Sequence, residues 1–321
     1  MNKVIIILGP TGVGKTGFSI LLARALNSEI ISADSMQVYR HMDIGTAKPS
    51  QEDMEQVPHH MIDIVNPDET FSAGLFKEMA TDIIGGLHER NKIPVIVGGT
   101  GLYIRSLTRG LFEGTGADEE LREKLQDEEA IFGKGYLYRK LRSADPEAAE
   151  KIQPNDLRRT VRALEIIMNE QKGLSIIREE RTLPSEYDFI KIGLTRERKE
   201  LYTLIEERVD MMLREGLLDE TRKLLHMKPD RTALQALGYK ELQRYLDGAI
   251  GLAEAVRLIK KRTKMFAKRQ FTWFKKERDV RWVDITGIKN AQSIFTKVVN
   301  DVTILQKLIS HKGILGDPGD M

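Results

Sequence analysis

VIIILGPTGVGKT, Val4 to Thr16, joins an apolar run directly to a glycine-rich loop. The run from Val4 to Leu8 is apolar throughout and mostly β-branched, the pattern of a strand buried on both faces of a parallel sheet. Beyond it, Gly9-Pro10-Thr11-Gly12-Val13-Gly14-Lys15-Thr16 fits G-x-x-x-x-G-K-[ST]. Apolar residues at Phe18, Ile20, Leu21, Leu22, Ala25 and Leu26 then predict a helix over 15–26. A glycine loop between strand and helix lets the backbone close around phosphate oxygens, and the helix end adds N–H donors and positive dipole. Lys15 contributes charge and the Thr16 hydroxyl can hold Mg²⁺. A turn that merely joined strand to helix would not need these two side by side, so residues 9–16 are the candidate diphosphate-binding loop, with Thr16 as the metal ligand.

Outward from this loop, Ile30-Ile31 reads as a second strand, 72–89 as a helix and Pro94 to Val97 as a third strand. The alternation predicts an α/β protein, a P-loop NTPase-like doubly wound parallel sheet. From Phe112 to Arg181 the texture turns helical, which predicts an inserted helical lobe over 112–181 between two parts of the catalytic domain, 1–111 and 182–321. Inside the lobe, Asp145-Pro146-Glu147 has the cap, proline and acidic residue of a helix start. The next helix, about 155–170, places Leu157, Val161, Leu164 and Met168 on one face and Arg158 with Arg162 on another. FIKIGL, Phe189 to Leu194, returns the chain to the sheet. A long basic helix over 252–276, a short segment around Trp282 and a last helix complete it.

Composition narrows the function classes. Lys and Arg number 50 against 48 Asp and Glu, so any basic surface must be local rather than global. With no cysteine in its 321 residues, the chain has no disulfides, thiolate metal sites or cysteine nucleophiles, and a cytoplasmic setting is expected. Val4–Leu8 is too short to cross a bilayer and runs into a glycine loop rather than a cleavage site, so no membrane partner is expected.

A P-loop recognises a diphosphate with its metal, and nothing in that physics requires ATP. Nucleotide hydrolases of this class place an Asp at the end of a later buried strand, whereas here Pro94–Val97 is followed by Gly98-Gly99-Thr100. The guanine-reading N-K-x-D is also missing, since Asn91-Lys92 continues as Ile93-Pro94. One carboxylate does leave a strand end: Asp34, after Ile30-Ile31-Ser32-Ala33. Strand ends of a parallel sheet share one crevice, so Asp34 is a candidate base or metal ligand facing the loop; a cap made by Asp34 or Ser35 fits the residues equally well. His59-His60 has no carboxylate at ligand spacing and reads as structural.

Several long stretches, in order, resemble the tRNA dimethylallyltransferase family: GPTGVGKT, DSMQVYRHMDIGTAKP (Asp34 to Pro49), HHMIDIVNPDETFSAGLF (His59 to Phe76), VIVGGTGLYIRSL (Val95 to Leu107) and AKRQFTWF (Ala267 to Phe274). The resemblance implies that the loop holds dimethylallyl diphosphate rather than hydrolysing ATP, and that the acceptor is the adenosine just 3′ of the anticodon in the anticodon stem-loop of tRNA. It implies Asp34 as general base toward the adenine amine, with Ser35, Met36 and Gln37 beside the base. Thr11 and Thr100 match polar positions near the reacting groups, and Arg208 resembles a diphosphate-binding arginine. Arg158-Arg159-Thr160-Val161-Arg162 matches a tRNA-contacting stretch, and Lys268, Arg269 and Gln270 lie in the last motif as candidate tRNA contacts. Phe266 stands where the family often has tyrosine, a change that removes a hydroxyl and keeps the ring.

The basic residues of the C-terminal helix, Lys260, Lys261, Arg262, Lys264, Lys268 and Arg269, are candidates for phosphate contacts, although charged helix faces are commonly just solvated and Arg158 and Arg162 can pair with Glu165. Phe271, Trp273 and Phe274 are too close together to share one face, so some belong to the core. A small-molecule kinase or a prenyltransferase acting on free adenine nucleotides shares the loop; an RNA-binding protein without chemistry explains the fewest motifs. A monomer is expected, since tRNA must reach a deep crevice.

Overall fold

The structure is a computed structural model that describes residues 2–110, 118–170, 172–181 and 185–310. The chain divides into two compact units, Met1–Thr108 with Glu186–Met321, and Arg109–Ser185. The expected start of the insert, Phe112, lies outside the described residues.

In the first unit β1 (Lys3–Leu8), α1 (Lys15–Ala25), β2 (Ile30–Ser32), α2 (Gln51–Gln56), β3 (His59–His60), α3 (Ala73–Glu89), β4 (Val95–Gly98) and α4 (Gly101–Arg109) precede the second unit. The six-stranded sheet has the order β3-β2-β4-β1-β5-β6, with β5 (Asp188–Thr195) and β6 (Val280–Asp284) added after the insert. Every pairing is parallel. Alternation along β1 explains its central place. Ile5 and Ile7 pack with Phe18 and Leu22 of α1, while Val4, Ile6 and Leu8 pack with Phe76, Ala80 and Ile84 of α3. All five are fully buried, each contributing roughly 1.5–3 kcal/mol. Register pairs Leu8 with Gly98 on one side and Gly193 on the other, so the loops after β1, β4 and β5 leave one edge of the sheet together.

Beyond β5 the chain forms α10 (Arg198–Arg214), α11 (Leu217–His226), α12 (Tyr239–Leu246) and α13 (Leu252–Phe274). Their apolar faces enclose Val38, Tyr39 and Met42, the continuation of β2, in a third core. Glu220 fixes that continuation: its carboxylate accepts from the amides of Asp43 (3.0 Å), Ile44 (2.8 Å) and Gly45 (2.9 Å) and from the Tyr239 hydroxyl (2.7 Å). The segment around Trp282 is a sixth strand, paired along β5 from Lys191↔Val280 to Thr195↔Asp284. Its alternating charges hid it in the sequence. The expected last helix is two, α14 (Ala291–Asp301) and α15 (Thr303–Ser310), separated by Val302. No helix among the described residues is long and apolar enough to cross a membrane.

The second unit holds α5 (Glu119–Phe132), α6 (Tyr136–Ala144), α7 (Pro146–Glu150), α8 (Leu157–Glu170) and α9 (Leu174–Arg181). Asp145 caps α7 by accepting from Ala148 N (2.9 Å) and reaches Ser175 N (2.9 Å), so one carboxylate ties two helices together. On α8 the buried face is Thr160, Val161, Ala163 and Leu164; the expected stripe is corrected at both ends, because Leu157 and Met168, in the first and last turns, are exposed. Glu165 is fully buried and accepts from Asp118 N, Arg122 and Arg162.

At the opposite edge of the sheet from the glycine loop, Glu29 is buried and receives Arg90 (2.5 Å), Lys92 (2.7 Å) and His60 (2.7 Å). Burial raises its carboxyl, but the bonds from Arg90, then Lys92 and His60, outweigh that and hold it at about 2. Folding therefore lowers this pKa. The stabilisation is complete above the ordinary carboxyl range, near 4.5, and is lost as pH falls toward 2. Glu29→Gln is expected to cost about 2 kcal/mol at neutral pH and to flatten the loss of stability in that acid window; urea unfolding of both proteins at about pH 7 and about pH 3.5 measures it. Parallel acid losses would refute the role.

Candidate active site

The loop after β1 and the loops after β2 and β4 form the crevice. Lys15 opens α1 and its ammonium turns back to donate to the carbonyls of Gly9 (2.9 Å) and Pro10 (3.0 Å). Burial pulls its pKa down to about 8; the nearby Asp34 charge acts against this and the Arg208 charge adds to it. Arg208, on α10, is depressed by burial and raised by Asp34 and then Glu215. Lys15 and Arg208 thus lie buried close to one another and to Asp34, and each cation's desolvation is relieved by an anion placed there. Thr16 is exposed at the first turn of α1, where its hydroxyl makes no protein hydrogen bond among the described residues.

Asp34 lies two residues past the end of β2. Its Oδ1 accepts from the amide of Met36 (2.9 Å), the local turn that an Asp at a strand end favours. Oδ2 has no hydrogen-bond partner among the described residues. The local cap expected of Asp34 is therefore present at Oδ1, and Oδ2 is left without a partner. Thr100 locks the neighbouring turn: its hydroxyl accepts from Ser35 N (2.9 Å) and lies 3.3 Å from the Ser35 hydroxyl, and its amide donates to Ala33 O (3.1 Å). Gln37 holds the loop rather than pointing free, since its Oε1 accepts from Ser32 Oγ (2.9 Å) and its Nε2 donates to Thr46 O (3.3 Å) and Ala47 O (3.1 Å). Beside Asp34, burial followed by the Tyr39 and Asp34 charges pushes the Tyr103 hydroxyl well above its ordinary range. The Tyr103 ring stacks on Phe76 at 4.2 Å.

The sequence profile described as IPP transferase matches residues 37–277. The chain belongs to the IPP transferase family. A tRNA dimethylallyltransferase of Thermodesulfovibrio yellowstonii is 53% identical over 314 residues, 95% of this chain and 99% of that one. The crystal structure of the full-length tRNA isopentenylpyrophosphate transferase of Bacillus halodurans is similar at a TM-score of 0.69 and 43% identity, covering 97% of this chain and all of that one. A eukaryotic dimethylallyltransferase acting on tRNA superposes at a TM-score of 0.81 with 31% identity, over 97% of this chain and 84% of that one.

For an IPP transferase, the residues proposed from sequence to meet RNA are unequal in structure. Arg158 and Arg159 are exposed on α8, Arg159 pairing with Asp156 at 3.4 Å, and Arg162 is half-buried and paired with Glu165 (2.7 Å). Thr160 and Val161 must be withdrawn as side-chain contacts, because both are turned into the core of the second unit. On α13, Lys268 and Arg269 are exposed, whereas Lys260, Arg262 and Lys264 form ion pairs with Asp210, Glu241 and Glu206. Arg269 lies over the Phe266 ring at 5.9 Å, so Phe266 acts here through its ring. Gln270 is buried, with both ends of its amide committed inside the protein. Phe274 is core, and Phe271 packs edge-on against Trp282.

Sequence reading missed Arg196, which follows β5 as Asp34 follows β2. It is buried, and its guanidinium donates to the carbonyls of Val13 (3.0 Å), Ile285 (2.9 Å) and Ile288 (2.6 Å), bracing the loop from behind. Its place at a strand end on the crevice edge was the available signal.

With Lys15 at about 8, its charge falls away as pH rises through that value, and anion affinity falls with it. Inorganic diphosphate titrated calorimetrically from about pH 6.5 to about 9.5 is expected to bind more weakly at the alkaline end. Lys15→Met should lose on the order of 10–100-fold at neutral pH and show a shallower alkaline decline. Identical pH slopes for the two proteins would exclude Lys15 as the titrating group.

Proposed function

We propose that this chain transfers the dimethylallyl group of dimethylallyl diphosphate to N6 of the adenosine 3′-adjacent to the anticodon in tRNA, acting as a monomer with its crevice open to the RNA loop. Family membership and the activities for which the relatives are named support the reaction class. The observation that carries the assignment of roles is the unshared Oδ2 of Asp34 in the same crevice as Lys15 and Arg208.

In this reading, the backbone amides from Gly12 to Thr16, Lys15 and Arg208 hold the diphosphate. Thr11 and Thr100 lie beside the reacting groups. The adenine amine is a poor nucleophile because its lone pair is delocalised, so the electrophile must carry a strong leaving group. N6 bonds to the allylic carbon as the C–O bond breaks, and that electron pair departs with the diphosphate. The N6 proton passes to Asp34 Oδ2, general-base work typically worth roughly 10²–10⁴-fold. Charge developing on the leaving group meets cations already in position, and each such donor contributes on the order of 3 kcal/mol. The apolar allylic chain needs a dry, apolar surface beside the loop. Ser35 and Met36 meet the adenine, on a loop that Gln37 fixes.

Mg²⁺ fits this site only as a partner of the substrate. The described residues contain no cluster of three metal-ligating His, Asp or Glu side chains, while the Thr16 hydroxyl is exposed at the loop. Magnesium commonly keeps its waters and takes few protein ligands beside phosphate oxygens, and Thr16 would be that ligand. Bound there, it would neutralise diphosphate charge.

A loop adenine must be turned out of its stack to reach Asp34. Arg158, Arg159, Lys268 and Arg269 are the proposed phosphate contacts, each adding to the salt dependence of binding. The test is transfer of label from dimethylallyl diphosphate to unmodified tRNA with Mg²⁺, run beside AMP and Asp34→Asn. Label in tRNA, none in AMP and a loss of about 10²-fold or more in the variant with tRNA affinity kept within about threefold are expected. Prenylated AMP with unlabelled tRNA would move the acceptor to free nucleotides. Equal losses of rate and affinity in Asp34→Asn would remove the base.

A further inference from the structure

Gln270 is buried, while its neighbours Lys268 and Arg269 are exposed. Its Oε1 accepts from the backbone amide of Thr11 at 2.8 Å, and its Nε2 donates to the backbone carbonyl of Gly99 at 2.9 Å. Thr11 belongs to the diphosphate loop. Gly99 precedes Thr100, whose hydroxyl receives the amide of Ser35, next to Asp34. A single carboxamide therefore joins the segment that holds the leaving group to the segment that holds the base.

Few side chains can do this. A primary amide offers an acceptor and a donor on one rigid plane. Glutamate lacks the donor, lysine lacks the acceptor, and asparagine is one methylene short. Gly99 has adapted to the contact: a Cβ at that position would stand 2.2 Å from Nε2. The bond also removes the Thr11 amide from the set available to an anion, leaving that work to the amides after it. We infer that Gln270 is a positioning residue that sets the distance between the diphosphate loop and the Asp34 segment, and is not a tRNA contact.

This inference rests on the transfer reading above, and the experiment separates the two. Gln270→Glu keeps the shape and one acceptor but, when ionised, sets a carboxylate oxygen against the Gly99 carbonyl. When protonated it regains a donor. At neutral pH its kcat should fall about tenfold or more, since small misplacements of reacting groups are costly, while its tRNA Kd stays within about twofold of wild type. The ratio of its kcat to that of wild type should then rise as pH is lowered from about 8 to about 5.5, as the acid form is restored. Gln270→Met, of similar length with neither hydrogen bond, should show the same kcat loss at unchanged tRNA Kd and a ratio that does not rise toward acid. It should also bind inorganic diphosphate several-fold more weakly, a readout independent of transfer.

A ten-fold weaker tRNA Kd with kcat intact at saturating tRNA would overturn the inference and make Gln270 an RNA contact; so would a flat kcat ratio for Gln270→Glu. If Gln270→Glu does not fold, the split between kcat and Kd in Gln270→Met decides. If wild type labels no tRNA, the transfer reading fails, and diphosphate binding by Gln270→Met still judges the clamp: affinity equal to wild type would end it.

Discussion

A lysine ammonium shut in with an arginine and one aspartate is the constraint around which the rest of the structure is arranged. Burial lowers the Lys15 pKa, and Arg208 pushes the same way; the Asp34 charge opposes them. Such a group is tolerable if its surroundings hold it rigidly and if an anion completes the charge balance. Rigidity comes from the loop carbonyls that Lys15 reaches, from Arg196 behind Val13 and from Gln270 at Thr11. Each brace originates on a different element, so the crevice is a product of the whole first unit rather than of the loop.

That dependence explains which parts were legible in the sequence. The strand at 4–8, its loop and its helix could be read because burial, turn and anion binding are all local there: the residues that cause each feature are neighbours in the chain. Asp34 was placed at the crevice for the same reason, since strand direction alone carries it there. The braces were not legible. Arg196 and Gln270 act on atoms 183 and 259 residues away, and nothing in the local pattern of α13 separates Gln270, which is buried, from Lys268 and Arg269, which are not. Periodicity would have marked the buried side of α13, yet a glutamine between basic residues reads as surface.

The same limit applies to charge. Six cations along α13 were candidates for phosphate contacts, but three of them turn to carboxylates on α10 and α12. Sequence spacing says which residues share a helix face; it does not say what is packed opposite. On α8 the stripe failed at Leu157 and Met168 because a helix buries only the stretch that its neighbours cover, and its terminal turns lie beyond it.

The missing carboxylate at the end of β4 has a steric cause as well as a functional one. In nucleotide hydrolases that position carries an Asp. Here a Cβ on Gly98 would lie 2.1 Å from the carbonyl oxygen of Ala33, because β2 and β4 run on into turns that press together. Ala33 N donates to Val97 O at 2.7 Å and Thr100 N to Ala33 O at 3.1 Å, which fixes that approach. A side chain at residue 98 would force the backbone apart, and the carboxylate found beside the loop is Asp34, in the turn after β2. The close packing that excludes a metal-binding Asp from β4 is the same packing that sets Thr100 against Ser35 and so orients Asp34. The loop thus lacks the hydrolase's carboxylate position and has beside it instead a carboxylate, Asp34, whose Oδ2 has no hydrogen-bond partner among the described residues.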